Sequence, residues 1–294
     1  MKNLKYALYV FLGGAMYGTM SSFVKLANND GFNPAEIAFF QALLSAVILW
    51  TLALAKHKRQ ERAFGISQTM KTLLAGCAVG MVNLLYYRSL EYLSASLAVV
   101  VLMQFTWFTV ILEAVVFGRK PTKAEFSAIS VLLVGTVLAS GALSGSAADI
   151  SAKGVAIALA GTFSYAVYVV LNGHLESGCA QLKKSALIMS GSTVAIFAFG
   201  FTDIVCNAKF SPSLVPWSLG FAVFGTAIPT VLFSVGIPKI GTCLSSILMT
   251  VELPVAVLCA GFILGEKVQT AQVVGIFIML LSMALINYYR HVKK

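Results

Sequence analysis

The acid with the strongest claim to chemistry is Glu252, the only carboxylate near the middle of a long apolar run. If that run spans a bilayer, an ionised group there costs about 2.5–3.5 kcal/mol even on lenient insertion scales, so it is kept for a reason. One use is a proton- or amine-binding carboxylate. The other is a structural carboxyl bonded to backbone that Pro254 leaves without an N–H partner. Around it the apolar runs hold aromatic and amide side chains: Tyr17, Asn83, Tyr86, Tyr87, Gln104, Trp107, Tyr165 and Tyr168. Tyrosines near run ends, such as Tyr6, Tyr9, Tyr92, Tyr288 and Tyr289, fit interfacial belts. Tyr17, Trp107, Tyr165 and Tyr168 lie too deep for a belt, and Tyr165 and Tyr168 share one helix face. Asn83 and Gln104 need polar partners, from another helix or from a cavity. A cavity lined by Tyr17, Asn83, Tyr87, Gln104, Trp107, Tyr165, Tyr168 and Glu252 would suit an amphipathic solute with an apolar or aromatic part.

What must position these groups is a membrane protein. Apolar residues make up 59% of the chain and charged residues 11%, against roughly 45–50% and 25% in soluble domains. A bilayer core needs about 20 apolar residues in helix. Ten runs meet that need: Tyr6–Leu26, Ala35–Ala55, Thr72–Leu90, Ser94–Phe117, Ala124–Leu143, Gly154–Asn172, Ala186–Val205, Trp217–Ile237, Thr242–Leu264 and Thr270–Tyr289. Their continuous apolarity, without strand alternation, predicts helices rather than a barrel. The first run is too long for a secretory signal and reads as an uncleaved span. Asn33-Pro34-Ala35-Glu36 is a helix start, with a cap, a first-turn proline and an acid. Longer polar stretches occur only at Lys56–Lys71, Ser144–Lys153 and Ser177–Lys184.

Charge sets the orientation. With the N-terminus in the cytoplasm, only Lys25, Arg88, Lys153, Lys209 and Lys267 fall outside, leaving sixteen of the 21 lysines and arginines inside. Both termini are then cytoplasmic. The net charge of +10 is explained by topology and by anionic lipid, with no need for nucleic acid. The five cysteines show no pairing framework or metal spacing, and no phosphate-binding loop, membrane histidine relay or nucleophile constellation appears. No cofactor or metal is expected, and an enzyme is disfavoured.

A shift of 147 residues lays the chain on itself: Leu85 meets Leu232, Leu97 meets Leu244, Gly118 meets Gly265 and Leu133 meets Leu280. Two units follow, 1–146 and 147–294, each of five helices. Because five is odd, the second unit enters the membrane upside down, a common plan of secondary transporters with the site near the midplane. Gly14, Gly18, Gly76 and Gly80 have the spacing of close helix packing, and Pro229 and Pro254 mark hinges or fixed kinks.

Asn83 to Ser96, Glu252-Leu253-Pro254-Val255 and Leu264-Gly265-Glu266-Lys267 resemble the EamA-type branch of the drug/metabolite transporter superfamily. Gly118-Arg119-Lys120-Pro121-Thr122 is similar to that family's turn before the fifth helix of each repeat, with Arg119 where Glu is usual. Tyr17-Gly18 stands where the family often has Trp-Gly, and Gln41 where it often has arginine. The resemblance implies a plasma- or inner-membrane secondary transporter with metabolite or amino-acid export as its activity, and protons as the coupling ion if Glu252 carries them. Rival readings are a phosphate or nucleotide-sugar exchanger, which wants buried Lys or Arg, and a non-transporting membrane enzyme or scaffold. Glu113 is expected to be an interfacial anchor with Arg119.

Overall fold

The computed structural model describes residues 2–55, 65–93, 95–119, 121–139, 151–175, 181–206, 212–265 and 269–292. Lys120, Glu266, Lys267 and most of the three polar stretches lie outside the described residues. The elements are all helical: α1 (Lys2–Asn29), α2 (Pro34–Ala55), α3 (Ile66–Ser89), α4 (Ala95–Leu102), α5 (Phe105–Phe117), α6 (Lys123–Ala139), α7 (Ala152–Gly173), α8 (Gln181–Val205), α9 (Leu214–Gly220), a π-helical segment (Phe221–Ala227), α10 (Ile228–Ile240), α11 (Thr242–Met249), α12 (Glu252–Leu264) and α13 (Thr270–Val292).

Among the described residues, eight helical stretches are long and apolar enough to cross a membrane: Leu4–Asn29, Pro34–Ala55, Ile66–Ser89, Leu97–Phe117, Ala152–Gly173, Gln181–Val205, Leu214–Ile240 and Thr242–Leu264. The other two expected runs correspond to α6, of 17 residues, and α13, which pack against each other. The polarity pattern suits lipid as solvent. Phe262, Phe199 and Phe277 point outward, 89%, 67% and 67% exposed, while Gln41, Ser45, Thr226 and Glu252 are buried.

Two runs that read as single helices are broken. The run Ser94–Phe117 divides at Met103–Gln104, and Thr242–Leu264 divides at Thr250–Val251, 147 residues on. Each break falls at isolated polar residues, Gln104 in the first run and Thr250 and Glu252 in the second, but the run is apolar on both sides, so hydropathy taken over a whole span does not reveal it. In the second, Pro254 has no N–H for the carbonyl four residues back, and the Leu253 N–H bonds Thr250 O instead at 3.1 Å. The first has no proline. There Gln104 N–H turns to Val101 O, and the Thr106 hydroxyl donates to Met103 O at 3.0 Å. Register is kept beyond the breaks. α5 and α12 both end on a glycine in the left-handed region, Gly118 (φ 67) and Gly265 (φ 69). The helices that follow, α6 and α13, open with matching side-chain caps, in which Glu125 accepts from Thr122 N–H and Gln272 from Gln269 N–H, both at 2.8 Å.

Packing repeats in the same way. α1 lies on α10, α11 and α12 as α7 lies on α3, α4 and α5, and α4 meets α12 as α11 meets α5. The tightest crossing joins α3 to α8, where a methyl at Gly76 would stand 2.1 Å from Ile188 O and one at Gly191 2.3 Å from Leu73 O. The spacing Gly76–Gly80 thus serves backbone approach.

Prolines also shape α10. Pro229 follows the π segment, whose Ile228 N–H bonds Val223 O. Pro238 leaves Ser234 O without its helical donor, and Lys184 Nζ supplies one at 3.2 Å. Lys184 belongs by sequence to a polar loop, yet it sits in α8 with no exposed surface.

Candidate functional site

The breaks bring the ends of short helices to the middle of the molecule, beside α1, α3 and α7. Glu252 opens α12 directly after its break, 4% exposed. The Tyr165 hydroxyl of α7 donates to Glu252 Oε2 at 3.4 Å, a long contact that leaves acceptor capacity on the carboxyl. α1 also comes close to the break, because Gly18 carries no side chain: a methyl there would lie 2.5 Å from Glu252 O.

A cavity of about 30 Å³ lies at this point, lined by Tyr17, Met20, Gln41, Val82, Asn83, Tyr86, Tyr87, Leu102, Tyr165, Gly225 and Glu252. That is room for about two waters and not for a solute. The Tyr87 hydroxyl donates to Gln41 Oε1 at 2.8 Å. Asn83 Nδ2 is a buried donor without a partner. Among the described residues no lysine or arginine lines the cavity, and Arg88, further along α3, pairs with Asp203 of α8. The site therefore offers one carboxyl, several phenol hydroxyls and two amides. It can accept hydrogen bonds from a cationic or neutral donor, and it carries no fixed positive charge for an anion.

Of the residues proposed from sequence, Tyr17, Asn83, Tyr87, Tyr165 and Glu252 meet in this cavity. Tyr168 stacks beside Tyr165 with ring centres 6.4 Å apart, and its hydroxyl accepts from Asn172 Nδ2 at 3.2 Å. Gln104 and Trp107 are not in the lining. They lie three residues apart at the first break and satisfy each other, with Trp107 Nε1 donating to Gln104 Oε1 at 2.9 Å. Tyr86, one of the aromatic set singled out from sequence, also lines it, and Gln41 enters the site without having been proposed for it. Gln41 was signalled by being an amide within an apolar run, and Tyr86 by its place beside Tyr87.

A second polar cluster closes one end of the bundle. Glu113 Oε1 lies 3.9 Å from Arg119 Nη1 and 3.7 Å from His174 Nε2, and Arg119 Nη2 lies 3.6 Å from Glu125 Oε1. His174 ends α7 and stacks on Phe117 at 3.6 Å. Glu113 is thus anchored by Arg119 as its position suggests.

Fold and cavity together define a multi-pass helical membrane protein with a polar pocket between its repeated parts. The chain belongs to the EamA-like transporter family, which matches it twice, over residues 4–141 and 152–288, and with that to the drug/metabolite transporter superfamily. It is 22% identical over 276 residues to the uncharacterized transporter YcbK of Bacillus subtilis (strain 168), covering 91% of this chain and 88% of that protein. A solved structure described only as "Crystal structure of protein" superposes with a TM-score of 0.76 at 13% identity, covering 99% of this chain and all of the other. That likeness is one of fold.

Proposed function

We propose that this protein is a plasma-membrane secondary transporter for small amphipathic metabolites bearing an amine, amino acids among them, with export as its direction. The carrying observation is Glu252: a buried carboxyl at a helix break, held by one long hydrogen bond and facing a cavity of phenols and amides with no cation in its lining. Such a carboxyl binds an ammonium group, or a proton when the solute has gone, which would couple the two. The repeated helix breaks, glycine ends and capping pairs support ten crossings in two inverted units, 1–146 and 147–294, and the bias of lysine and arginine supports both termini being cytoplasmic. The tiny cavity fits an occluded stage of alternating access between those units. A phosphate or nucleotide-sugar exchanger is disfavoured by the lack of Lys or Arg in the lining.

The test is uptake of a mixed metabolite pool into proteoliposomes, with and without an imposed proton gradient. Accumulation of amine-bearing solutes that responds to the gradient is the expected result. Selective accumulation of phosphorylated solutes, or none of any class, would overturn the reading.

A further inference from the structure

A groove of about 530 Å³ lies on the lipid-facing side between α1 and the α9–π segment, lined by Met16, Thr19, Met20, Phe23, Pro216, Trp217, Gly220, Phe221 and Phe224. Its rim is open, with Phe224 64% and Phe23 37% exposed, while Phe221 and Met20 at its floor are buried. Met20 lines this groove and also the central cavity. A flexible thioether side chain thus borders both the apolar chamber and the site of Glu252.

The wall opposite Met20 is built to receive it. Gly225 faces it with no side chain, and a methyl there would lie 2.4 Å from Met20 Sδ. Gly225 belongs to the π segment, whose other side is tied to α2: Ser45 Oγ lies 2.9 Å from Ala222 O and 2.7 Å from Thr226 Oγ1, and Thr226 Oγ1 donates back to Phe221 O at 2.9 Å. The segment is thus tied to α2, while the atoms nearest Gly225 on the α1 side belong to the Met20 side chain, which can change rotamer.

We infer that this groove holds the apolar tail of an amphipathic amine whose polar end occupies the central cavity, with Met20 swinging aside to join the two chambers. The inference rests on the reading of Glu252 as the amine-binding group. The cavity alone has no room for a solute of any size, whereas cavity and groove together place a carboxyl at one end and an apolar chamber at the other. Under the proposed orientation the groove faces the outer leaflet, so a solute could enter or leave sideways through the lipid.

The probe is a series of straight-chain primary amines from butylamine to dodecylamine, brominated at the far end of the chain. The protein is held in lipid nanodiscs with Trp50 and Trp107 replaced by Phe, so that Trp217 reports from the groove. Saturable quenching that grows with chain length and is displaced by unbrominated dodecylamine is the expected result. Gly220→Phe should remove it, since Gly220 lines the groove and a Cβ there meets open space, so a ring built from that position competes with the tail. Gly225→Ala, which displaces Met20, should speed its onset, and Met20→Ala serves the same purpose if that variant does not fold. Quenching that never saturates, or that Gly220→Phe leaves unchanged, would mean bilayer hydrocarbon alone fills the groove and would overturn the inference. The two readings fail separately: if Glu252→Gln leaves butylamine binding unchanged while Gly220→Phe abolishes quenching, the carboxyl assignment falls and the tail site stands.

Discussion

Phe105 and Glu252 occupy the same place in the two repeats, each the first helical residue after a break, and both hold Tyr165. The Phe105 ring lies 4.4 Å from the Tyr165 ring between centres, and Glu252 accepts the Tyr165 hydroxyl. One break thus supplies an apolar wall and the other an acid, although a symmetric duplication would have made them alike. This asymmetry gives a pseudo-symmetric scaffold a polar direction.

Glu252→Gln should fold as well as the parent, because the amide keeps the size and still accepts from Tyr165. Losing a charge-assisted contact of about 1.5–3 kcal/mol should weaken amine binding roughly ten- to hundredfold. Glu252→Ala should in addition lower the melting temperature, since the buried Tyr165 hydroxyl is left unpaired at a cost of about 1–3 kcal/mol. Binding by calorimetry and melting in the same detergent separate the two effects. A folded Gln variant with unchanged binding and transport would show the carboxyl to be structural.

The Glu113 cluster yields a test by coupling. Arg119 is 41% exposed, so Arg119→Ala should cost no more than about 1 kcal/mol through lost attraction. Glu113 is only 6% exposed at its side chain, and once Arg119 is gone the neighbour it keeps among the described residues is the His174 ring. Adding Glu113→Gln to Arg119→Ala should therefore recover part of the loss. A double-mutant cycle on melting temperatures measures this, and strict additivity would show that the two side chains do not interact.

Much of the fold is legible in the sequence because lipid imposes long apolar runs and a charge bias. Helix ends marked by Pro34, Gly118 and Gly265 also appear where expected. The breaks at Met103–Gln104 and Thr250–Val251 are not legible, because the chain is apolar on both sides of them, single polar residues such as Gln104 and Glu252 also fit an unbroken helix, and the first has no proline. The site shares that fate. Tyr17, Asn83, Tyr87, Tyr165 and Glu252 could be picked out as polar groups at membrane depth. Gln104 and Trp107 fit the same criterion, and only three-dimensional placement reveals that they satisfy each other. Burial of Lys184 was equally hidden, since the carbonyl it serves lies 50 residues away.

That pairing makes a compensation experiment possible. Lys184→Ala leaves Ser234 O without the Nζ donor and removes the packing of a fully buried stem. A destabilisation of about 1–3 kcal/mol is expected from the orphaned carbonyl alone. Pro238→Ala restores an N–H in register with Ser234 O, so the double variant should melt above Lys184→Ala. If Pro238→Ala brings no recovery, the Lys184 ammonium is held for some other purpose than capping that carbonyl.

Topology can be tested with a native cysteine. Arg88 at the end of α3 pairs with Asp203 near the end of α8, so those two helix ends share one face of the membrane. Cys206 follows directly and is exposed. Gly65 precedes the first turn of α3, 24 residues and about 36 Å of helix away from that face. Sixteen of the 21 cationic side chains fall on the Gly65 side when the N-terminus is cytoplasmic. In intact cells a membrane-impermeant maleimide should therefore label the parent protein, and Cys206→Ser should remove that label. Gly65→Cys in a background carrying Cys179→Ser and Cys206→Ser, which removes the native thiol in the loop before Lys183 and Lys184, should react only after the membrane is opened. The reverse pattern would turn the molecule over, placing both termini outside and the groove of Met20 in the inner leaflet.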